Sequence, residues 1–130
     1  MSVFDSSAIY KAIGISNVSM LAGGYTVPLA MYELGNIVLK NSVLFHKYTS
    51  HESQELLKIC ETTLEKMIIV SPDDLQYVYQ IAVKFQLSFY DATYVCLAKK
   101  LNMSLVTLDK KLANKAHSFI SIIFFEDFVT

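Results

Sequence analysis

Four acidic residues, Asp5, Glu33, Asp91 and Asp109, stand beside apolar runs, where carboxylates from different segments can act together. Carboxylates that share a dry pocket repel one another, and each would sooner protonate. A hard divalent cation removes that conflict. Mg²⁺ or Mn²⁺ takes oxygen ligands, keeps several waters and is bound by a few carboxylates together with substrate phosphate. One or two such ions can activate water and stabilise the leaving oxygen in phosphodiester hydrolysis. Zinc chemistry finds no support: His46, His51 and His117 lack ligand spacing and read as surface or packing residues. Cys60 and Cys96 have no CxxC spacing and read as small buried hydrophobes with free thiols.

The elements that must position these acids alternate between short apolar runs and longer helical patterns, the mark of a parallel α/β sheet. Strands are expected at Ser2–Asp5, Tyr25–Val27, Ile68–Val70, Leu105–Thr107 and Ile120–Phe125. Helices are expected from Ser6, from Pro28 to about His46, from about Ser50, from Ser71, from Ser88 to about Asn102, and over Lys110–Ala116. The helix from Ser50 gathers Leu56, Leu57, Cys60, Leu64 and Met67 on one face. Ser71 reads as a cap with Pro72 at the first helical position, and Ser88 to Asp91 as a capping box.

Short strands buried on both faces need right-handed helical crossovers, and function gathers at their carboxyl ends where strand order reverses. Asp5 ends the first strand and Asp109 follows the fourth, so both face one crevice if those strands are neighbours. Glu33 lies about a turn into the helix after the second strand, with Asn36 three residues on along the same face. Asp91 sits in the first turn of the helix that leads into the fourth strand.

Each acid also has a bland explanation. Asp5 serves as a strand-end turn residue, Glu33 as a solvated side chain, Asp91 as an acid meeting a helix dipole, and Asp109 as an N-cap. Taken singly these are as good as a functional role. They leave unexplained why four acids fall toward one end of one sheet. Gly35, between Glu33 and Asn36 in a helical stretch, costs about 1 kcal/mol relative to alanine. It suggests either close backbone approach to a neighbouring helix or simple tolerance.

At 130 residues, with 53% hydrophobic and 18% charged side chains, the chain suits one folded domain spanning 1–130. Net charge is −1 and every basic residue is lysine, so no broad basic field or arginine fork advertises nucleic acid. The run Ile122 to Phe125 reads as a buried strand, or failing that as a subunit interface. The start, Met1 to Asp5, lacks the pattern of a signal peptide. The charge-free stretch Ala12–Tyr32 is broken by Asn17, Gly23, Gly24 and Pro28, against a membrane span. A cytoplasmic location is expected.

Four segments also resemble the PIN-domain family, specifically its VapC-type toxin branch: Val3-Phe4-Asp5-Ser6-Ser7, Tyr32-Glu33-Leu34-Gly35-Asn36, Tyr90-Asp91-Ala92-Thr93-Tyr94 and Thr107-Leu108-Asp109-Lys110-Lys111-Leu112. Their order and spacing agree from Val3 to about Ala116. The resemblance implies a five-stranded parallel sheet in the order 3-2-1-4-5 with helices on both faces. It implies that Asp5, Glu33, Asp91 and Asp109 bind Mg²⁺ or Mn²⁺ and cleave single-stranded or exposed RNA. Ser6, Asn36 and Thr107 match positions that support the site by hydrogen bonding. The family's toxins form homodimers and are held inactive by a small antitoxin. An extra acid found in some members is replaced here by Lys110 and Lys111, which puts a second metal in doubt.

Competing functions fare unevenly. A phosphoacceptor receiver needs an aspartate ending the third strand and a lysine ending the fifth, where Val70-Ser71 and Phe125-Glu126 stand. A haloacid-dehalogenase-type phosphatase needs an acid two residues after Asp5, where Ser7 stands. A catalytically silent protein- or RNA-binding module of the same fold, and a nuclease of RNA maturation, remain as alternatives.

Overall fold

The structure, a computed structural model, describes residues 1–129. Five parallel strands, β1 (Ser2–Phe4), β2 (Tyr25–Thr26), β3 (Ile68–Ile69), β4 (Ser104–Thr107) and β5 (Ile122–Phe124), form one sheet in the order β3-β2-β1-β4-β5. The helices between them are α1 (Ser6–Gly14), α2 (Leu29–Val43), α3 (Ser50–Glu65), α4 (Leu75–Phe85), α5 (Phe89–Leu101) and α6 (Lys110–Ala116). A 3₁₀ turn at Val18–Leu21 and a final short helix α7 (Phe125–Phe128) complete the order.

Strand alternation divides the core into two layers. Val3 and Leu105 face a layer built from Val78 and Ile81 of α4, the buried side of α5 and Leu112. Phe4 and Val106 face the opposite layer, with Ala8, Ile9 and Ala12 of α1, Leu34 and Val38 of α2, and Cys60 and Leu64 of α3. Register is direct: Val3 pairs with Leu105 and Phe4 with Val106, so β1 and β4 end level with each other. Order reverses between these two strands, which opens a crevice at their carboxyl ends.

Local signals explain most boundaries. Asp5, Asp74, Ser88 and Asp109 cap α1, α4, α5 and α6 through side-chain acceptors, and Thr49 with Glu52 forms a full capping box on α3. Gly24 is required sterically. A Cβ there would fall 2.5 Å from the buried Phe4 ring, the ring that also meets Phe128 edge-on at 5.2 Å.

Several expectations are corrected. Asp74, not Ser71, caps α4, because its side chain reaches the Tyr77 amide at 3.1 Å. Strand β3 is not buried on both faces: it is an edge strand, and Ile68 and Ile69 are each 41% exposed. Strand β5 is shorter than the Ile120–Phe125 run. Its residues are half-buried, and Phe125 leaves it to start α7. Gly35 has no heavy atom within 4 Å of the place a side chain would occupy, so close helix approach is not its reason. Both cysteines are buried free thiols, as expected. Among the described residues no helix is long and apolar enough to cross a membrane.

Candidate active site

Asp5 follows β1 directly and is 5% exposed. Its Oδ1 accepts from the Ala8 amide at 2.9 Å and the Ser7 hydroxyl at 2.6 Å, and its Oδ2 accepts from the Thr107 hydroxyl. The carboxylate is thus a helix cap and a junction between β1 and β4. Burial pushes its pKa up, the bonds from Ser7, Thr107 and Ala8 pull it down, and the Asp91 charge adds to the rise.

Asp109 sits past the end of β4, where the chain turns into α6. It is exposed, caps that helix through the Leu112 amide at 3.1 Å, and gives its own amide to the Thr107 hydroxyl at 2.9 Å. The bland N-cap explanation is therefore true of Asp109, and it coexists with a place at the crevice. Ser7 joins the same two loops, since it donates to Asp5 and accepts from the Leu108 amide at 3.1 Å.

Asp91 occupies the first turn of α5, its amide bound to the Ser88 cap at 3.0 Å. Burial, then the charges of Asp109 and Glu33, push its pKa up, while the Ser88 hydrogen bond and Lys115 offset part of the rise. Glu33, on α2, is half-buried and accepts from the Tyr94 hydroxyl at 2.6 Å. The four acids are therefore linked electrostatically: Asp91 feels Asp109 and Glu33, and Asp5 feels Asp91.

They do not close on a single point. Among the described residues, no three His, Cys, Asp or Glu side chains gather closely enough to hold a metal ion between them. Asp5 and Asp109 are engaged as caps of the helices that follow them, and Glu33 is tied through Tyr94 to α5. The donor set still suits a hard divalent cation: oxygen only, negative, and mutually repelling. Such an ion keeps waters and needs only one or two protein carboxylates beside substrate phosphate.

A model of the PIN domain matches residues 3–118. The chain belongs to the PIN domain family. Two curated relatives from Pyrobaculum aerophilum resemble this PIN domain chain in sequence. Ribonuclease VapC3 is 29% identical over 97 residues, 75% of this chain and 74% of its own length. Exonuclease VapC9 is 31% identical over 94 residues, 72% of this chain and 68% of its own. Among solved structures, PAE2754 from the same organism matches with a TM-score of 0.82 at 24% identity, covering 96% of this chain and 89% of that one. A toxin–antitoxin complex from Klebsiella pneumoniae follows at 0.67 and 10% identity, over 95% of this chain and 96% of that one. These likenesses at low identity show the PIN fold.

The three residues expected to support the site take different places in it. Thr107 holds Asp5, while Ser6 partners Tyr94 rather than an acid, and Asn36 is exposed. Ser7 and Tyr94 carry contacts that spacing did not single out. Ser7 stood in plain view as the residue two after Asp5. Tyr94 lies three residues after Asp91, a helical step that points in the same general direction.

Proposed function

We propose that this PIN domain chain is a Mg²⁺- or Mn²⁺-dependent endoribonuclease that hydrolyses phosphodiester bonds of single-stranded or exposed RNA. We further read it as the toxin of a toxin–antitoxin pair, acting in the cytoplasm. Asp5 carries the reading: a carboxylate buried at the switch point of a parallel sheet, held at both oxygens and raised in pKa beside further acids. A perturbed acid in a crevice is a functional-site signature. The two relatives, one named a ribonuclease and the other an exonuclease, support nuclease chemistry. Likeness to a toxin–antitoxin complex supports a small antitoxin partner.

Asp5, Glu33, Asp91 and Asp109 would hold the cation. Bound there, it supplies water of lowered pKa and stabilises charge on the leaving oxygen. The chain's own residues supply placement. Ser7 and Thr107 fix the Asp5 rotamer, and Ser88 fixes the turn that carries Asp91. With no arginine in the chain, exposed Lys110 and Lys111 beside Asp109 are the cationic side chains nearest in sequence to a phosphate at the site. A homodimer is also proposed. It is supported by Leu75, Tyr79 and Val83, a stripe on α4 at helical spacing with each side chain at least 60% exposed.

The deciding experiment offers labelled linear and circular single-stranded RNA to wild type, Asp5→Asn, Glu33→Gln, Asp91→Asn and Asp109→Asn. Mg²⁺, Mn²⁺ or EDTA is present, and circular dichroism verifies folding. Cleavage of both RNA forms by wild type alone, abolished by EDTA, is the expected result. Cleavage of linear RNA only would make the enzyme an exonuclease. Metal-independent cleavage, or cleavage by all four variants, would sink the proposed site. RNA bound but never cut by wild type would favour the silent binding module.

A further inference from the structure

Tyr94 is 1% exposed, its ring packed in the layer between the sheet and α4. Its hydroxyl donates to Glu33 Oε1 at 2.6 Å, a contact between residues 61 apart in the chain. That length lies in the range of a charge-assisted O–H···O⁻ bond. The Ser6 hydroxyl, from the residue that follows Asp5, is also near enough to the phenol to lower its pKa against the rise that burial and Glu33 cause.

We infer that Tyr94 is a positioning residue whose hydroxyl fixes Glu33 for the divalent cation. The inference rests on the proposed function, because it takes Glu33 as a ligand. Its argument is geometric. Glutamate on a half-buried helix face has several rotamers open to it, whereas a fully packed tyrosine ring has almost none. A bond to that ring's hydroxyl therefore transfers the rigidity of the core to the Glu33 carboxylate. Oε1 is committed to the bond, which leaves Oε2 for the cation. The two carboxylate oxygens thus have separate duties, one for orientation and one for binding.

The bond also sets a common frame for the site. Asp91 and Tyr94 are both on α5, one helical turn apart, so Glu33 of α2 is referenced to the helix that presents Asp91. Two of the four acids, Glu33 and Asp91, are thereby located relative to one buried phenol oxygen. A tyrosine kept only for packing would need any acceptor for its hydroxyl. Nothing in that role requires the acceptor to be the site's own acid.

The test measures Mn²⁺ affinity by calorimetry without RNA, alongside metal-free melting, for wild type, Tyr94→Phe, Ser6→Ala and Glu33→Gln. Tyr94→Phe keeps the ring and removes only the hydroxyl. It should bind Mn²⁺ roughly tenfold more weakly, as loss of an outer-shell partner does, with native circular dichroism retained. Ser6→Ala should weaken binding in the same direction and by less. Wild-type affinity in Tyr94→Phe with weakened affinity in Glu33→Gln overturns the positioning role while leaving the site standing. Wild-type affinity in both removes Glu33 from the metal site, and the inference falls with that part of the proposed function. Should Tyr94→Phe lose native circular dichroism, the Ser6→Ala affinity decides in its place.

Discussion

The hydroxyl of Thr107, at the end of β4, donates to Asp5 Oδ2 across 102 residues of chain, and the same oxygen accepts the Asp109 amide at 2.9 Å. One buried hydroxyl therefore fixes two acids on adjacent strands. Thr107→Val keeps the shape and removes both bonds, leaving a buried carboxylate oxygen and an amide without that partner. The cost should be about 1–3 kcal/mol, read from urea unfolding, with RNA cleavage falling in parallel. Thr107→Ser should recover most of both. An unchanged unfolding midpoint in the valine variant would refute the role assigned to the bond.

The raised aspartates predict a pH dependence of the metal-free protein. Burial first, and neighbouring charge after it, raises the pKa of Asp5 and Asp91, so the folded state keeps their protons to higher pH than the unfolded chain does. Between the unfolded value, about 3.9, and the raised folded value, the native state binds more protons. Their contribution to stability therefore falls as pH climbs through that window and stays low above it. The exposed Glu52 and Asp73, whose pKa values are lowered by Thr49 and Lys100, act in the opposite sense, so the comparison must be with a variant. Metal-free Asp91→Asn should melt above wild type at neutral pH, with the gap closing in acid. Mg²⁺ should raise the wild-type melting temperature by mass action and do so less in the variant. A gap that widens in acid contradicts the sign.

Asp109 has two duties, and two substitutions separate them. Asparagine can still accept from the Leu112 amide and cap α6, whereas alanine cannot. Asp109→Ala should cost about 0.5–2 kcal/mol of stability and Asp109→Asn much less. Cleavage should be lost in both. Retained cleavage in Asp109→Asn would restrict Asp109 to its capping role.

Gly35→Ala should stabilise the protein by up to about 1 kcal/mol, since the position lies inside α2 with open space around it. Thermal melting tests this, and cleavage should be unchanged. A lower melting temperature would reveal a contact absent from the present arrangement.

Much of this architecture was legible because local chemistry set it. Ser88 before Asp91, the Lys110–Ala116 helix and the short apolar β1 and β4 all follow from caps and patterns within a few residues. The acids singled out in the sequence lie within electrostatic range of one another, Asp91 with Asp109 and Glu33, and Asp5 with Asp91. What failed depended on choices between adjacent residues or on contacts through space. Ser71 and Asp74 are both competent caps, and only the path of the chain into α4 decides for Asp74. Ile68-Ile69 reads as a buried strand until its edge position leaves it half in solvent. Ser7 and Tyr94 act on partners set by tertiary geometry, so no spacing rule singled them out. The expectation of four ligands converging on a metal met a looser arrangement among the described residues: Asp5 and Asp109 are engaged as helix caps, and Glu33 is bonded to Tyr94 of α5.

The direct pairing of β1 with β4 has a consequence for how the protein acquires its active form. The central strand β1 is made before β4, its neighbour on one side, with the helices α1 to α5 between them. Non-local pairings of this kind must overcome loop closure before they contribute stability, and they form slowly. Until β4 docks, Asp5 lacks Thr107 and stands apart from Asp109. A nascent chain can thus carry three of the four acids outside the ribosome and still have no assembled crevice. The crevice is assembled when β4 joins β1, in the same event that closes the sheet.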